Sequence, residues 1–212
     1  MRTISGVAGF CASAIGWLLI GLQGAAAADS RAILVFGDSL SAAYGLRPEQ
    51  GWVALLQKRL HDQGYEYETV NASVSGETTS GGLARLSRAL SVHHPSIVIL
   101  ELGANDGLRG LPLNTVRDNL VSMIQQANQA GAHVLLVGIR LPPNYGARYG
   151  EDFAAIYANL AQRYRLELVP FLLEKVALHA DLMQADGLHP DAQGEPAVLE
   201  TVWPHLTPLL KR

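Results

Sequence analysis

Three segments of this chain, residues 33–36, 97–102 and 134–139, read as continuous apolar runs of strand length. A run of that kind has no polar face to turn to water, so it fits a strand buried on both sides, which needs helices packed above and below the sheet. The stretches between them supply those helices. Apolar residues recur at helical spacing over 52–60, 83–90, 115–131 (Val116, Leu120, Met123, Ile124 and Ala127 on one face) and 153–164. A looser alternation over 65–71 predicts a more exposed second strand, and 167–169 predicts a short fifth strand stopped at Pro170. Residues 171–183 read as partly helical, and a final helix is expected to break at Pro204. Strand and helix alternating throughout predict an α/β fold: a three-layer α/β/α flavodoxin-like sandwich around a five-stranded parallel sheet.

The first residues do not belong to that pattern. Arg2 is the only charge before Asp29, an apolar stretch follows, and it closes in the small residues Gly24-Ala25-Ala26-Ala27-Ala28. This is the layout of a cleavable secretory signal peptide over 1–28, leaving one domain over 29–212. Ser13, Gly16, Gly21 and Gln23 interrupt the apolar stretch and argue against an uncleaved anchor, and bulky Phe10 before Cys11 argues against lipoprotein processing. Cleavage removes Cys11, the single cysteine, so the mature chain has no disulfide, no thiol nucleophile and no thiolate metal ligand. With 16 basic against 19 acidic residues and no basic stripe, nucleic acid is not an expected partner. No later segment is long and apolar enough to span a bilayer, so no stable membrane insertion is expected after cleavage; the exported protein is separately expected to be a monomer.

Chemistry-bearing residues cluster where the predicted strands end. The first run ends at Gly37, and Ser39 follows at what should be the C-terminal edge of the sheet, where open α/β folds build their sites. A loop serine is ordinarily only a turn residue; a base, an acid and an oxyanion hole would make it a nucleophile. Asp186-Gly187-Leu188-His189-Pro190 offers an acid and a histidine three residues apart on one turn. By itself that pair reads equally as a local turn or a pair of metal ligands. The other histidines (His61, His93, His94, His133, His179, His205) have no comparable acid. Candidate oxyanion donors are the Ser39 and Gly76 backbone N–H groups and the Asn105 side chain, an amide that can stabilise an anion without losing a proton.

Taken in order, Gly37-Asp38-Ser39-Leu40, Gly76, Gly103-Ala104-Asn105-Asp106 and Asp186-Gly187-Leu188-His189-Pro190 resemble the four blocks of the SGNH (GDSL) hydrolase superfamily. The longer stretches 71–78, 102–110 and 139–146 resemble its periplasmic multifunctional thioesterase I/lysophospholipase/arylesterase subgroup. The resemblance implies Ser39 as nucleophile, His189 as base, Asp186 as its orienting acid, and Ser39, Gly76 and Asn105 as the oxyanion hole, with no cofactor and no metal. It implies structural roles for Asp38, in the turn after the strand, and for Asp106, in the Asn105 loop. Ala104 and Glu77 depart from relatives that often carry Gly and Asp there.

The implied reaction is hydrolysis of an acyl ester or thioester, small or lipidic, through an acyl-enzyme. A carbohydrate O-acetylesterase and a non-catalytic binding protein on the same fold are the competing readings. Leu108, Leu141, Pro142 and Tyr145 lie on loops apolar enough to floor an acyl groove, and residues 78–82 read as a flexible segment able to close over a substrate.

Overall fold

The computed structural model describes Thr3 and residues 31–212; the expected signal peptide, Thr3 apart, lies outside the described residues. Five strands, β1 (Ala32–Gly37), β2 (Glu68–Asn71), β3 (Ile97–Glu101), β4 (His133–Val137) and β5 (Glu167–Val169), form one parallel sheet in the order β2-β1-β3-β4-β5. The expected fold class is therefore observed. The chain first steps from β1 to β2 and then crosses back over β1 to β3. This reversal opens a crevice at the C-terminal ends of β1 and β3.

Alternate residues of each buried strand feed two cores. Ile33, Val35, Ile97, Ile99, Leu135 and Val137 face α1 (Trp52–Asp62) and α6 (Glu195–Leu206), meeting Trp52, Leu56, Leu60, Val198, Val202 and Leu206. Leu34, Phe36, Val98, Leu100, Val134 and Leu136 face α2 (Thr79–His93), α4 (Leu113–Gln129) and α5 (Ala147–Tyr164). A one-residue slip of any central strand would exchange its two faces between these cores, so packing fixes the register. Strand β2, on the sheet edge, is half-buried to exposed, as its looser alternation predicts.

Four local expectations need correction. The segment 78–82 is not a flexible loop: Thr78 caps α2, its side chain accepting from the Gly81 N–H at 3.2 Å, and Thr79 is fully buried. Gly82 is there for close packing, since a Cβ would collide with Leu102 beneath it. The Asn105 loop contains a one-turn helix, α3 (Ala104–Leu108), and α5 begins at Ala147 rather than near Phe153. Finally, α6 runs through Pro204 to Leu206 without a break. A proline at 204 leaves the Glu200 carbonyl without its helical donor, and Lys175 Nζ donates to that carbonyl at 3.0 Å instead.

A buried hydrogen bond joins the starts of the two helices of the first core. The Glu195 carboxylate accepts a 2.7 Å bond from the Trp52 N–H, one of the amides at the start of α1 that no helical carbonyl can satisfy. Burial pushes the Glu195 carboxyl up from 4.5 to about 7, against the opposing bond from Trp52 and with the Asp191 charge adding to the rise. The folded state thus binds this proton more tightly than the unfolded chain, so stability falls as pH rises from 4.5 through about 7. Glu195→Gln keeps an acceptor for Trp52 and removes the charge. Its Tm relative to wild type should rise between pH 5 and pH 8, by an amount equivalent to about 1–3 kcal/mol; a difference independent of pH would contradict this assignment.

Candidate active site

The sheet order puts the three loops that follow β2, β1 and β3 side by side, and these carry Gly76, Ser39 and Asn105. The parallel pairing sets Gly37 opposite Glu101, so both strands end level with one another. Glu101 is fully buried, and its Oε2 accepts from the Asp38 N–H at 3.2 Å and from the Ser41 hydroxyl at 2.7 Å. A Cβ on residue 37 would stand 2.5 Å from that oxygen, so glycine lets the carboxylate reach under the turn. Complete burial, with the Asp38 charge beside it, holds the Glu101 carboxyl well above the ordinary range.

Asp38 organises the same turn from within. Its Oδ1 accepts from the Leu40 N–H at 3.1 Å and its Oδ2 from Asn105 Nδ2 at 3.1 Å, orienting the amide that follows β3. Burial raises Asp38 to about 6, against the hydrogen bond from Leu40, the nearby His189 charge and the bond from Asn105. Asp106, next in sequence, faces the other way: its two oxygens take the Thr79 N–H at 2.8 Å and the Thr79 hydroxyl at 2.6 Å, tying α3 to the first turn of α2. Neither acid touches His189 through a hydrogen bond, in keeping with the structural roles the sequence implies for both.

The histidine arrives from the far end of the chain. Asp186 and His189 lie on the turn before α6; Asp186 Oδ1 accepts from the backbone N–H of Leu188 at 2.9 Å and of His189 at 3.1 Å. Asp186 Oδ2 stands 2.6 Å from His189 Nδ1, and His189 Nε2 stands 2.8 Å from Ser39 Oγ. Partial desolvation of Asp186 is outweighed by the bonds from Leu188 and His189, which hold its carboxyl below the ordinary range. An ionised Asp186 can only accept, so Nδ1 carries the ring proton and Nε2 accepts from the Ser39 hydroxyl. Asp186, His189 and Ser39 thus stand in one hydrogen-bonded series. Among the described residues no group of three His, Cys, Asp or Glu side chains is placed to hold a metal ion.

Gly76 lies in a turn closed by the Glu77 N–H to the Val74 carbonyl at 3.1 Å, and its φ of +79° suits glycine. The exposed Arg109 donates to the Gly76 carbonyl at 3.1 Å, bridging this turn to the end of α3. Among the described residues, neither the Ser39 N–H nor the Gly76 N–H has an acceptor. Of the four residues expected to floor a groove, Leu141 packs over Gly107 of α3, where a Cβ would stand 2.6 Å from its Cδ2. Leu108 and Pro142 are half-buried, and Tyr145 is exposed in a short 3-10 turn, Pro143–Tyr145.

Sequence reasoning missed Glu101, although an acid inside an apolar strand is a usable signal.

A serine, a histidine and an aspartate in hydrogen-bonded series at the switch point of a doubly wound sheet is the arrangement by which serine hydrolases are recognised on unrelated folds. The chain belongs to the GDSL-like Lipase/Acylhydrolase family, whose model matches residues 35–196. Esterase TesA of Pseudomonas aeruginosa is 55% identical over 86% of this chain and 91% of its own, and a crystal structure of TesA covers 84% of this chain and 99% of that one with a TM-score of 0.83. The arylesterase of Vibrio mimicus is 43% identical over 95% of this chain and 96% of its own. Thioesterase 1/protease 1/lysophospholipase L1 of Escherichia coli K12 is 43% identical over 88% of this chain and 87% of its own. This chain is accordingly an enzyme that hydrolyses esters and thioesters.

The buried acid under the nucleophile turn provides a test of the local architecture. Glu101→Ala would strand the Asp38 N–H and the Ser41 hydroxyl, at a cost of about 1–3 kcal/mol for each group left unsatisfied. Its urea midpoint should fall accordingly, and Glu101→Gln should recover much of the loss by restoring an acceptor. A midpoint unchanged in Glu101→Ala would show that the turn does not depend on this contact.

Proposed function

We propose that Ser39 is the nucleophile, His189 the general base and Asp186 its orienting acid, in a two-step acyl transfer. The observation that carries the reading is the unbroken hydrogen-bonded series Asp186–His189–Ser39, at 2.6 and 2.8 Å. Ser39 Oγ bonds to the carbonyl carbon as its proton passes to Nε2, and the carbonyl π pair moves onto oxygen. The unpaired N–H groups of Ser39 and Gly76 and the Asn105 amide receive that oxyanion. The intermediate collapses, the alcohol or thiol leaves with the proton from His189, and Asp186 stabilises the transient imidazolium. Water then gives its proton to His189 and its oxygen to the acyl carbon, releasing the acid and the free Ser39 hydroxyl.

The substrates we assign are acyl-chain esters and thioesters, including aryl esters and lysophospholipids, an assignment supported by the names of the relatives. Leu108, Leu141, Pro142 and Tyr145 floor the acyl groove in this reading. Residues 1–28 act as a cleaved signal peptide that delivers a monomer to the periplasm, where lipid esters are more available than acyl-CoA. Among the described residues no helix is long and apolar enough to cross a membrane.

Folded Ser39→Ala should have no detectable esterase activity; near-normal turnover would overturn the nucleophile assignment. Asn105→Ala should lower kcat by about 10²–10³, and an unchanged kcat in the folded variant would remove Asn105 from the oxyanion hole. Across p-nitrophenyl esters of increasing acyl length, kcat/KM should vary with chain length, whereas a flat profile would count against the groove.

A further inference from the structure

The nucleophile turn does not end with Ser39. It wraps back so that the Tyr44 ring lies on the His189 imidazole, with centroids 4.6 Å apart and planes inclined by 38°. Bringing it there takes unusual backbone. Ala43 and Gly45 flank Tyr44 with φ of +55° and +74°, and the left-handed region is uncommon for alanine. Gln184 locks the result: its Nε2 donates to the Tyr44 carbonyl at 2.7 Å and to the Pro190 carbonyl at 2.9 Å, and its N–H donates to the His189 carbonyl at 2.7 Å. A side chain at 45 would strike the Gln184 amide, so the glycine makes room for the lock. The strained turn and the amide bridge therefore both serve to hold Tyr44 against the histidine.

Tyr44 is nonetheless 50% exposed. A large aromatic ring held in strained backbone while half of it stays open to solvent is not explained by core packing. Resting on the Proposed function, the chemistry locates what meets it. The leaving oxygen or sulfur must come within reach of His189 Nε2 to be protonated, so the leaving group departs beside the imidazole that Tyr44 covers.

The geometry points to Tyr44 as the specificity-determining residue for the leaving-group side of the site, a platform on which an aromatic alcohol or thiol stacks. Acyl chains and leaving groups are thereby read separately: the acyl chain by the loops after β3 and β4, the leaving group by the loop after β1. Tyr44 contributes by contact with the substrate's departing half, and the platform works in acylation alone, because the leaving group is gone before deacylation.

Benzyl and cyclohexylmethyl butyrate test this. They share an acyl group, their alcohols are of similar size and acidity, and they differ in the aromatic face. Wild type should favour the benzyl ester in kcat/KM, and Tyr44→Leu should lower that preference about two- to tenfold, the size of one aromatic pair. Tyr44→Phe should keep the preference. Both variants should keep the wild-type pH profile, since His189 retains its bonds to Asp186 and Ser39. An equal loss for both esters with a displaced pH profile would make Tyr44 a support for His189 only, and would overturn the proposal, as would an unchanged preference in Tyr44→Leu. An organophosphonate titration separates the two levels of failure. If wild type is not labelled at Ser39, the nucleophile reading falls and the platform with it; if labelling is normal in both proteins and the preference does not change, the platform alone falls.

Discussion

The structure depends most on the meeting of Gly37 and Glu101 at the C-terminal ends of β1 and β3. Parallel pairing sets these residues opposite one another, and the missing side chain at 37 lets a carboxylate reach beneath the turn that follows. That carboxylate fixes the Asp38 N–H and the Ser41 hydroxyl on either side of Ser39. Asp38 in turn holds Asn105, so the serine turn and the amide are set by one continuous set of buried bonds. Two buried acids in contact are costly, and their raised pKa values register the cost. Rigid placement of the turn is what it returns.

His189 comes from 150 residues further along the chain and needs a separate means of delivery. Helix α6 packs beside α1 on one face of the sheet, and the Glu195–Trp52 bond joins the starts of the two helices. The turn carrying Asp186 and His189 immediately precedes α6, so the docking of that helix places the imidazole over the end of β1. Gln184 then spans the remaining gap between the two loops. The site is thus assembled from buried bonds beneath it and helix packing beside it, while its mouth stays open.

Legibility in the sequence followed the range of the interactions. The strands and the helix faces were readable, because burial on both faces and a 3.6-residue period are local signals. The segment 78–82 was misread because Gly, Ser and Thr are ambiguous in isolation: only the proximity of Leu102 makes Gly82 a packing residue, and only Asp106 makes Thr79 a buried anchor. Pro204 was misread for a similar reason, since the donor that replaces its missing N–H comes from Lys175, far off in sequence. Tyr44 could not have been found at all. Its environment is set by a histidine and a glutamine about 140 residues away.

By itself the sequence determined the doubly wound parallel sheet, and it determined which residue types stand at the strand ends, because both follow from short-range pattern and from motif chemistry. Motif likeness already paired Asp186 with His189; which donors the other acids meet was decided by the tertiary structure. Asp38, Glu101, Asp106, Asp186 and Glu195 are chemically near-identical. One orients Asn105, one underpins the serine turn, one anchors α2, one meets the histidine and one caps α1. A carboxylate takes its role from the donors within about 3 Å of it and from the water it has lost. Only the packed fold fixes both.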